Sequence, residues 1–369
     1  MTSRHARSAL LPLFAAALPA QGYLVDSNLD LLFQVDLQTG AATQIASTAN
    51  NGLATPADLA WRADTQEMWT IDLSGGELGT IDLTSGLFTP VVLTGISGWQ
   101  GLAWDPELRL FFASNQTGGT TYAIDPVTGT TTALGSSGFG HLSGMEVDAA
   151  GTLWGTVFSG GALVRVDKTT GVASQVATTD SNLGDIAVDT DGTFYAANST
   201  TDSLYRLDLS TGAATLIGAH GAGVDFVKGF AIAHRGVVRG GQGCADSSSA
   251  RISMLVSGSS NVGSTTLQLG VQAGLTLPSV LLFGASNRTL GGIPLPFDLA
   301  VLGAPGCLVY TSSDASTPPF TSGAMLPIPV PNAPLLIGRS LFAQALAVDT
   351  AANALGVVTS DFARVVITR

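Results

Sequence analysis

Three carboxylates fall in one recurring segment of the chain, and one of them is out of place there. Asp58 opens the segment DLAW (Asp58 to Trp61), Asp185 opens DIAV (Asp185 to Val188), and Glu146 is third in GMEV (Gly144 to Val147). These segments align with GLAW (Gly101 to Trp104) and GFAI (Gly229 to Ile232), so the residues equivalent to Glu146 are Ala60, Ala103, Ala187 and Ala231. A single carboxylate in a column of small apolar residues needs a partner or a raised pKa, and either condition suits acid–base work. Glycoside hydrolysis needs an acid together with a base or nucleophile, and Asp58, Glu146 and Asp185 are the residues that would supply them. No family signature surrounds any of the three. Neither a G-x-S-x-G element nor a Gly-rich phosphate loop occurs in strand-to-helix context. The plainer reading pairs Glu146 locally, with His141 or a water.

The residues just before these segments differ more than the segments do. They contribute Trp99, Gln100, His141, Asp225 and Phe226, which with Asp58, Glu146 and Asp185 make the candidate ligand-binding set. Trp99, Phe226 and His141 could stack on a sugar, with the aspartates as polar contacts. Equally, the two large rings could simply plug a channel. A further column holds Asp26, Asp72, Asn115, Val157 and Asn198. Its oxygens are Ca²⁺ candidates, although side-chain turns explain them more simply. With 4 His and 2 Cys in the chain, a dedicated zinc or redox site is not expected, and no cofactor is assigned.

The elements that position these residues follow from an internal repeat. The motif recurs as VDLQTG, IDLTSG, IDPVTG, VDKTTG and LDLSTG, whose aspartates Asp36, Asp82, Asp125, Asp167 and Asp208 are 46, 43, 42 and 41 residues apart. Each unit reads as four short strands joined by turns in which Asp bonds the backbone ahead and Gly takes a positive φ, a structural role for these aspartates. No helical periodicity separates the strands. Four antiparallel strands per unit of this length is the β-propeller pattern. Residues 22–46 lack a first strand and residues 229–235 supply one without its followers, so the two ends should share a sheet. The expected fold is all-β: a five-bladed β-propeller over 21–236, with the last blade closed by N- and C-terminal strands. In a propeller, the loops leading into the innermost strands surround the channel where ligands usually bind, and the candidate set falls on those loops.

The run Leu204-Tyr205-Arg206-Leu207-Asp208 through Leu216-Ile217-Gly218, with its counterparts, resembles secreted bacterial β-propeller proteins with D-x-x-T-G repeats, and more loosely quinoprotein-like and NHL-type repeats. The resemblance covers the repeat region and speaks to fold; such propellers carry unrelated activities. After a Gly- and Ser-rich stretch read as a linker (237–250), the repeat stops. Residues 251–369 read as a C-terminal β-sandwich, with Pro327, Pro329, Pro331 and Pro334 at an edge. LPFDLAVLGAPGC (Leu295 to Cys307) and QALAVDTAANALGVVTS (Gln344 to Ser360) resemble a module attached to many exported bacterial proteins.

Residues 1–20 combine Arg4 and Arg7, an apolar Ala-rich core and a small-residue exit at Ala20, the pattern of a signal peptide. Export makes a Cys244–Cys307 disulfide feasible, which spacing alone leaves open. Only 11% of residues are charged and the mean hydropathy is +0.36, yet past residue 20 no apolar run is long enough to span a membrane. Residues 22–241 hold 22 Asp and Glu against 8 Lys and Arg, whereas 242–369 hold 5 of each sign. An acidic propeller disfavours nucleic acid and favours cations, neutral glycans or basic protein surfaces. The expectation is a monomeric, non-catalytic binding or scaffold protein, secreted, periplasmic or at the cell surface. The alternative is a channel-site hydrolase acting on glycans or lactones.

Overall fold

The computed structural model describes residues 20–180, 182–221 and 223–369; all but the last residue of the expected signal peptide lies outside them. Two short 3₁₀ turns, Leu299–Leu302 and Pro334–Leu336, are the helical elements among the described residues, and the rest of the regular structure is strand. No helix there is long and apolar enough to cross a membrane.

Five four-stranded antiparallel sheets occupy residues 21–233. Their inner strands are Pro56–Arg62, Trp99–Asp105, Gly144–Val147, Leu183–Val188 and Val227–Ala233. Each inner strand packs against the next, and Val227–Ala233 packs back on Pro56–Arg62, so the ring closes. The fifth sheet is composite: Val227–Ala233 pairs with Gln21–Asp26, from Gln21 opposite Ala233 to Asp26 opposite Val227, and Leu31–Val35 and Ala42–Ser47 complete it. Inner and second strands are almost wholly buried, because each sheet is covered on both faces. This is why Val, Ile, Leu, Phe and Ala dominate the repeat.

The recurrent turns have a double function. Asp82 Oδ1 accepts the N–H groups and hydroxyls of Thr84 and Ser85, and the donors hold its pKa down at about 2. Gly86 sits at φ +68, and a Cβ there would lie 2.5 Å from the carbonyl oxygen of Ser47 in the preceding sheet. Gly212 meets Thr178 of its preceding sheet in the same way. The glycine thus serves both the turn and the seam between sheets.

Beyond the ring, Val237–Gly240, Val357–Val366, Ser340–Val348 and Pro278–Gly284 form one antiparallel sheet, extended by Ala315–Ser316 and Phe320–Thr321. Ser253–Ser257, Gln268–Gln272 and Met325–Pro327 form a second, and one core, including Met254, Leu269, Val271, Leu281, Ala345 and Val365, involves both. The proline run lies at the edge of the second sheet: Ile328 and Val330 donate to Leu267 and Ser264, while the alternating Pro327, Pro329 and Pro331 fall where no donor is needed. Residues 237–250 are not a free linker. Val237–Gly240 pairs with Val357–Val366, and Cys244 is buried and bonded to Cys307 with Cα atoms 4.9 Å apart. The small polar residues belong to the turn capped by Asp246, which accepts from Ser248 and Ala250.

This second region packs against the ring. Phe342, Phe362 and Tyr310 share a cluster with Trp154, Val188 and Phe194. Lys168 Nζ bonds Asp105 at 2.5 Å within the ring, and Arg288 crosses to Glu107 at 3.1 Å. Arg364 reaches under the ring to donate to the Asp148 carbonyl at 2.8 Å.

Candidate functional site

Asp58 and Asp185 stand at equivalent places on inner strands of two non-adjacent sheets, and both are fully buried. Each carboxylate uses one oxygen for its own strand and one for the next. Asp58 accepts from Leu59 N at 2.7 Å and from Leu102 N at 2.5 Å; Asp185 accepts from Ile186 N at 2.7 Å and from Phe230 N at 2.6 Å. The two carboxyls lie close enough to influence each other's titration. Burial raises both pKa values, that of Asp185 to about 7 and that of Asp58 well above the ordinary carboxylate range, with the Asp185 charge adding to the rise at Asp58. Glycine makes room for this arrangement. A Cβ on Gly229 would lie 2.6 Å from Leu59 N and 2.8 Å from Asp58 Cα, and one on Gly144 would lie 2.4 Å from Asp185 Cα.

Lys228, one residue before Gly229, supplies the compensating charge. It is half-buried, feels both aspartates, and donates to Gln100 Oε1. Burial lowers its pKa and the two carboxylates oppose that. Gln100 Nε2 in turn faces Gln116 Oε1 at 3.4 Å. His141 lies in the same layer: burial and the Lys228 charge both lower its pKa.

Glu146 is one register step further along the axis, toward the C-terminal region. Its oxygens accept from Val147 N at 2.8 Å and Val188 N at 3.4 Å, not from His141 as the local-pairing reading expected. Some of its surface remains accessible although protein surrounds it, as befits a residue lining a narrow channel. Burial, reinforced by the Asp185 charge, raises its pKa to about 8, and Arg364 draws it back down. Below it, Arg364 is itself buried, and its charge combines with burial to press the His234 pKa down to about 3. From one end to the other the axis therefore carries Lys228 with Gln100 and His141, then the acid pair, then Glu146, then Arg364 and His234.

The aromatic part of the candidate set is divided. Trp99 does not line a mouth: its ring is fully buried between the first two sheets, edge-on to Tyr122 at 5.1 Å, with Nε1 on Thr94 Oγ1 at 3.2 Å. A loop position predicted exposure, but this side chain turns back into the intersheet core. Phe226 is half-buried at the ring's loop end and faces Phe158 at 6.4 Å. Asp225 beside it is exposed and accepts from Asn28 Nδ2 at 2.9 Å.

The column considered for Ca²⁺ has its oxygens engaged by donors. Asp26 accepts from Asn28 and Leu29 with one oxygen and from Asp225 and Phe226 with the other. Asp72 does the same with Ser74, Gly75, Ala54 and Thr55. Asn115 accepts from Thr117, and Asn198 accepts from Thr200 and Thr201. These side chains anchor the loops that lead into the inner strands. Among the described residues, no group of three or more His, Cys, Asp or Glu side chains could hold a metal ion.

Sequence reasoning passed over Lys228, Phe158 and Arg364. Two of them had a signal. Lys228 stands in a column with Ala57, Gln100, Ser143 and Gly184, and it is one of only two lysines in the chain. Phe158 stands where the other units have Ser27, Leu73, Gln116 and Ser199. Arg364 had none, since it comes from outside the repeat.

Four-stranded sheets whose inner strands close a ring define the architecture. It is β-propeller-like. No family model and no curated relative matches the chain. Similar solved structures include a chain of the nidogen/laminin complex, at 14% identity and a TM-score of 0.44, covering 58% of this chain and 98% of that one. Virginiamycin B lyase from Staphylococcus aureus is similar at 13% identity and a TM-score of 0.35, over 54% of this chain and 69% of its own. Hydrazine synthase from Kuenenia stuttgartiensis gives 13% and 0.35, over 62% and 65%.

Proposed function

We propose that the chain is an exported, non-catalytic binding or scaffold protein: a five-bladed β-propeller over residues 21–236 followed by a C-terminal β-sandwich, with its ligand at the channel mouth. One observation carries this reading. All four oxygens of Asp58 and Asp185 accept backbone N–H groups, half of them from a neighbouring inner strand. Every oxygen of the two carboxyls is thus held by a backbone donor, and together they tie adjacent blades to one another. The acids at the centre act as a clasp. Recognition falls to the loop end, where half-buried Phe226 and Phe158, exposed Asp225 and half-buried His141 offer apolar rings beside polar groups. That combination suits a neutral glycan or a basic protein surface.

The test is a glycan-array and cation titration on the full chain, alongside hydrolysis assays on glycans and lactones. Asp225→Ala and Phe226→Ala should each weaken binding at least tenfold. Glu146→Gln and Asp185→Asn should leave it within a few-fold. Turnover of a glycan or lactone that Glu146→Gln and Asp185→Asn abolish would replace this reading with the hydrolase.

A further inference from the structure

The turns that leave the inner strands lie at the end of the ring opposite the loops of the proposed mouth. There the second sheet faces the C-terminal region across a cleft of about 440 Å³, a size ordinary for small-ligand sites. Three exposed arginines line it: Arg109 from the second sheet, and Arg288 and Arg339 from the C-terminal region. Glu107 is the acid that lines the cleft with them, and it pairs with Arg288 at 3.1 Å. Asp64, 3.9 Å from Arg109, already holds Arg62 through both its oxygens. Arg339 makes no ion pair among the described residues. A chain of net charge −12 thus gathers a surplus of positive charge in one concave place. Arg109 also takes φ +58, in a turn where the third and fourth sheets use Gly151 and Gly192 at φ +79 and +83, so an arginine is kept at a position that suits glycine.

The polar groups beside the arginines narrow the ligand. Asn287 lines the cleft and is only 9% exposed. Its Nδ2 donates to the Ala150 carbonyl at 3.1 Å, which fixes the orientation of the amide. Its Oδ1 is buried and accepts from no group among the described residues, and Ser340 Oγ, in the same lining, is likewise without a partner. A buried acceptor left in this state is costly, and a ligand hydroxyl would relieve it. A sulfate ion could answer the arginines, but it has no proton to give Asn287.

We propose that the cleft binds an acidic sugar, a ring that carries one carboxylate or sulfate group beside free hydroxyls. The acidic group forks onto the arginines, the hydroxyls meet Asn287 Oδ1 and Ser340 Oγ, and Phe342 supplies an apolar wall for the C–H face of the ring. This site stands apart from the mouth at the loop end and does not depend on it.

Isothermal titration calorimetry of the full chain with glucuronate, glucose 6-sulfate, glucose and inorganic sulfate tests the assignment. At least one of the two acidic sugars should bind at least tenfold more tightly than either glucose or inorganic sulfate. Preference for glucuronate would name the carboxylate as the recognised group, and preference for the ester would name the sulfate. Arg109→Ala and Arg339→Ala alter exposed side chains, and each should weaken the binding at least tenfold with the circular dichroism spectrum unchanged. Asn287→Asp, which sets a negative charge in the same place, should abolish it. The proposal is overturned if neither acidic sugar binds at millimolar concentration, if inorganic sulfate binds as tightly as they do, or if binding survives both arginine changes.

Discussion

Replacing Glu146 by Gln should make the protein more stable, and only above acid pH. The folded chain holds this carboxyl with a pKa of about 8 against 4.5 for the free side chain. An acid whose pKa is raised by folding is bound more tightly as its protonated form. The folded state therefore suffers no penalty from Glu146 below about pH 4.5. Stability falls as the pH rises from there, because the unfolded chain ionises and the folded one does not, and the loss levels off above about pH 8. Near pH 7 the gap is about 2.5 units, or ~3 kcal/mol at ~1.4 kcal/mol per unit. The carboxyl retains some contact with solvent, so ~2 kcal/mol is the better expectation. Glutamine copies the neutral acid, with one acceptor oxygen for Val147 N and one group that cannot accept from Val188 N. Urea unfolding of wild type and Glu146→Gln at pH values near 4, 7 and 9 measures the difference, in which contributions from other titrating groups cancel. The curves should coincide near pH 4 and separate by ~2 kcal/mol in favour of the variant near pH 7, and by somewhat more near pH 9. A difference of the same size at all three pH values, or a wild type that gains on the variant as pH rises, refutes the reasoning.

Other expectations follow from the same geometry. Asp58→Ala would leave the Leu59 and Leu102 N–H groups without acceptors, costing about 3–5 kcal/mol in thermal unfolding, whereas Asp58→Asn, which copies the protonated acid, should cost no more than ~1 kcal/mol. Gly144→Ala places a Cβ 2.4 Å from the Asp185 backbone, so circular dichroism melts should show a loss above ~3 kcal/mol or a chain that does not fold at all. Replacing Cys244 and Cys307 by Ala frees a loop with a sequence separation of 63, for which the chain-entropy account gives a loss of up to ~4 kcal/mol, read from denaturant midpoints. Asp82→Ala removes a turn acceptor at an exposed site and should cost no more than ~1 kcal/mol in the same assay.

Much of the ring could be read from the chain because its determinants are local. An Asp that captures the two N–H groups ahead of it and a Gly at positive φ announce themselves in six residues, and their spacing marks each sheet. The closing sheet was legible for a related reason: a unit lacking its first strand and a first strand lacking its unit imply each other. The axis was legible only in part. Glu146 showed itself as an acid among alanines, but Asp58 and Asp185 come from the inner strands of two non-adjacent sheets, and closure of the ring, which no local pattern encodes, is what brings them near each other. Trp99 misled for the converse reason: read as a loop residue, it is the first residue of the strand Trp99–Asp105, and its ring turns into the core between sheets. Val237–Gly240 looked like a linker because its partner strand, Val357–Val366, lies more than a hundred residues away.

The composite sheet also has a mechanical meaning. Gln21 lies opposite Ala233, so the chain before Gln21 and the chain after Ala233 leave the ring at the same end of the same strand pair. Tension applied between the protein's two ends would not shear that pair, with all its hydrogen bonds resisting together. It would peel the pair open one rung at a time, the weaker of the two loading directions. The contacts just past Ala233 guard the first rung: Trp61 Nε1 and Gln66 Nε2 both hold the His234 carbonyl, and Val366 N bonds the Gly236 carbonyl. Under load, the C-terminal region would serve as the latch on the ring.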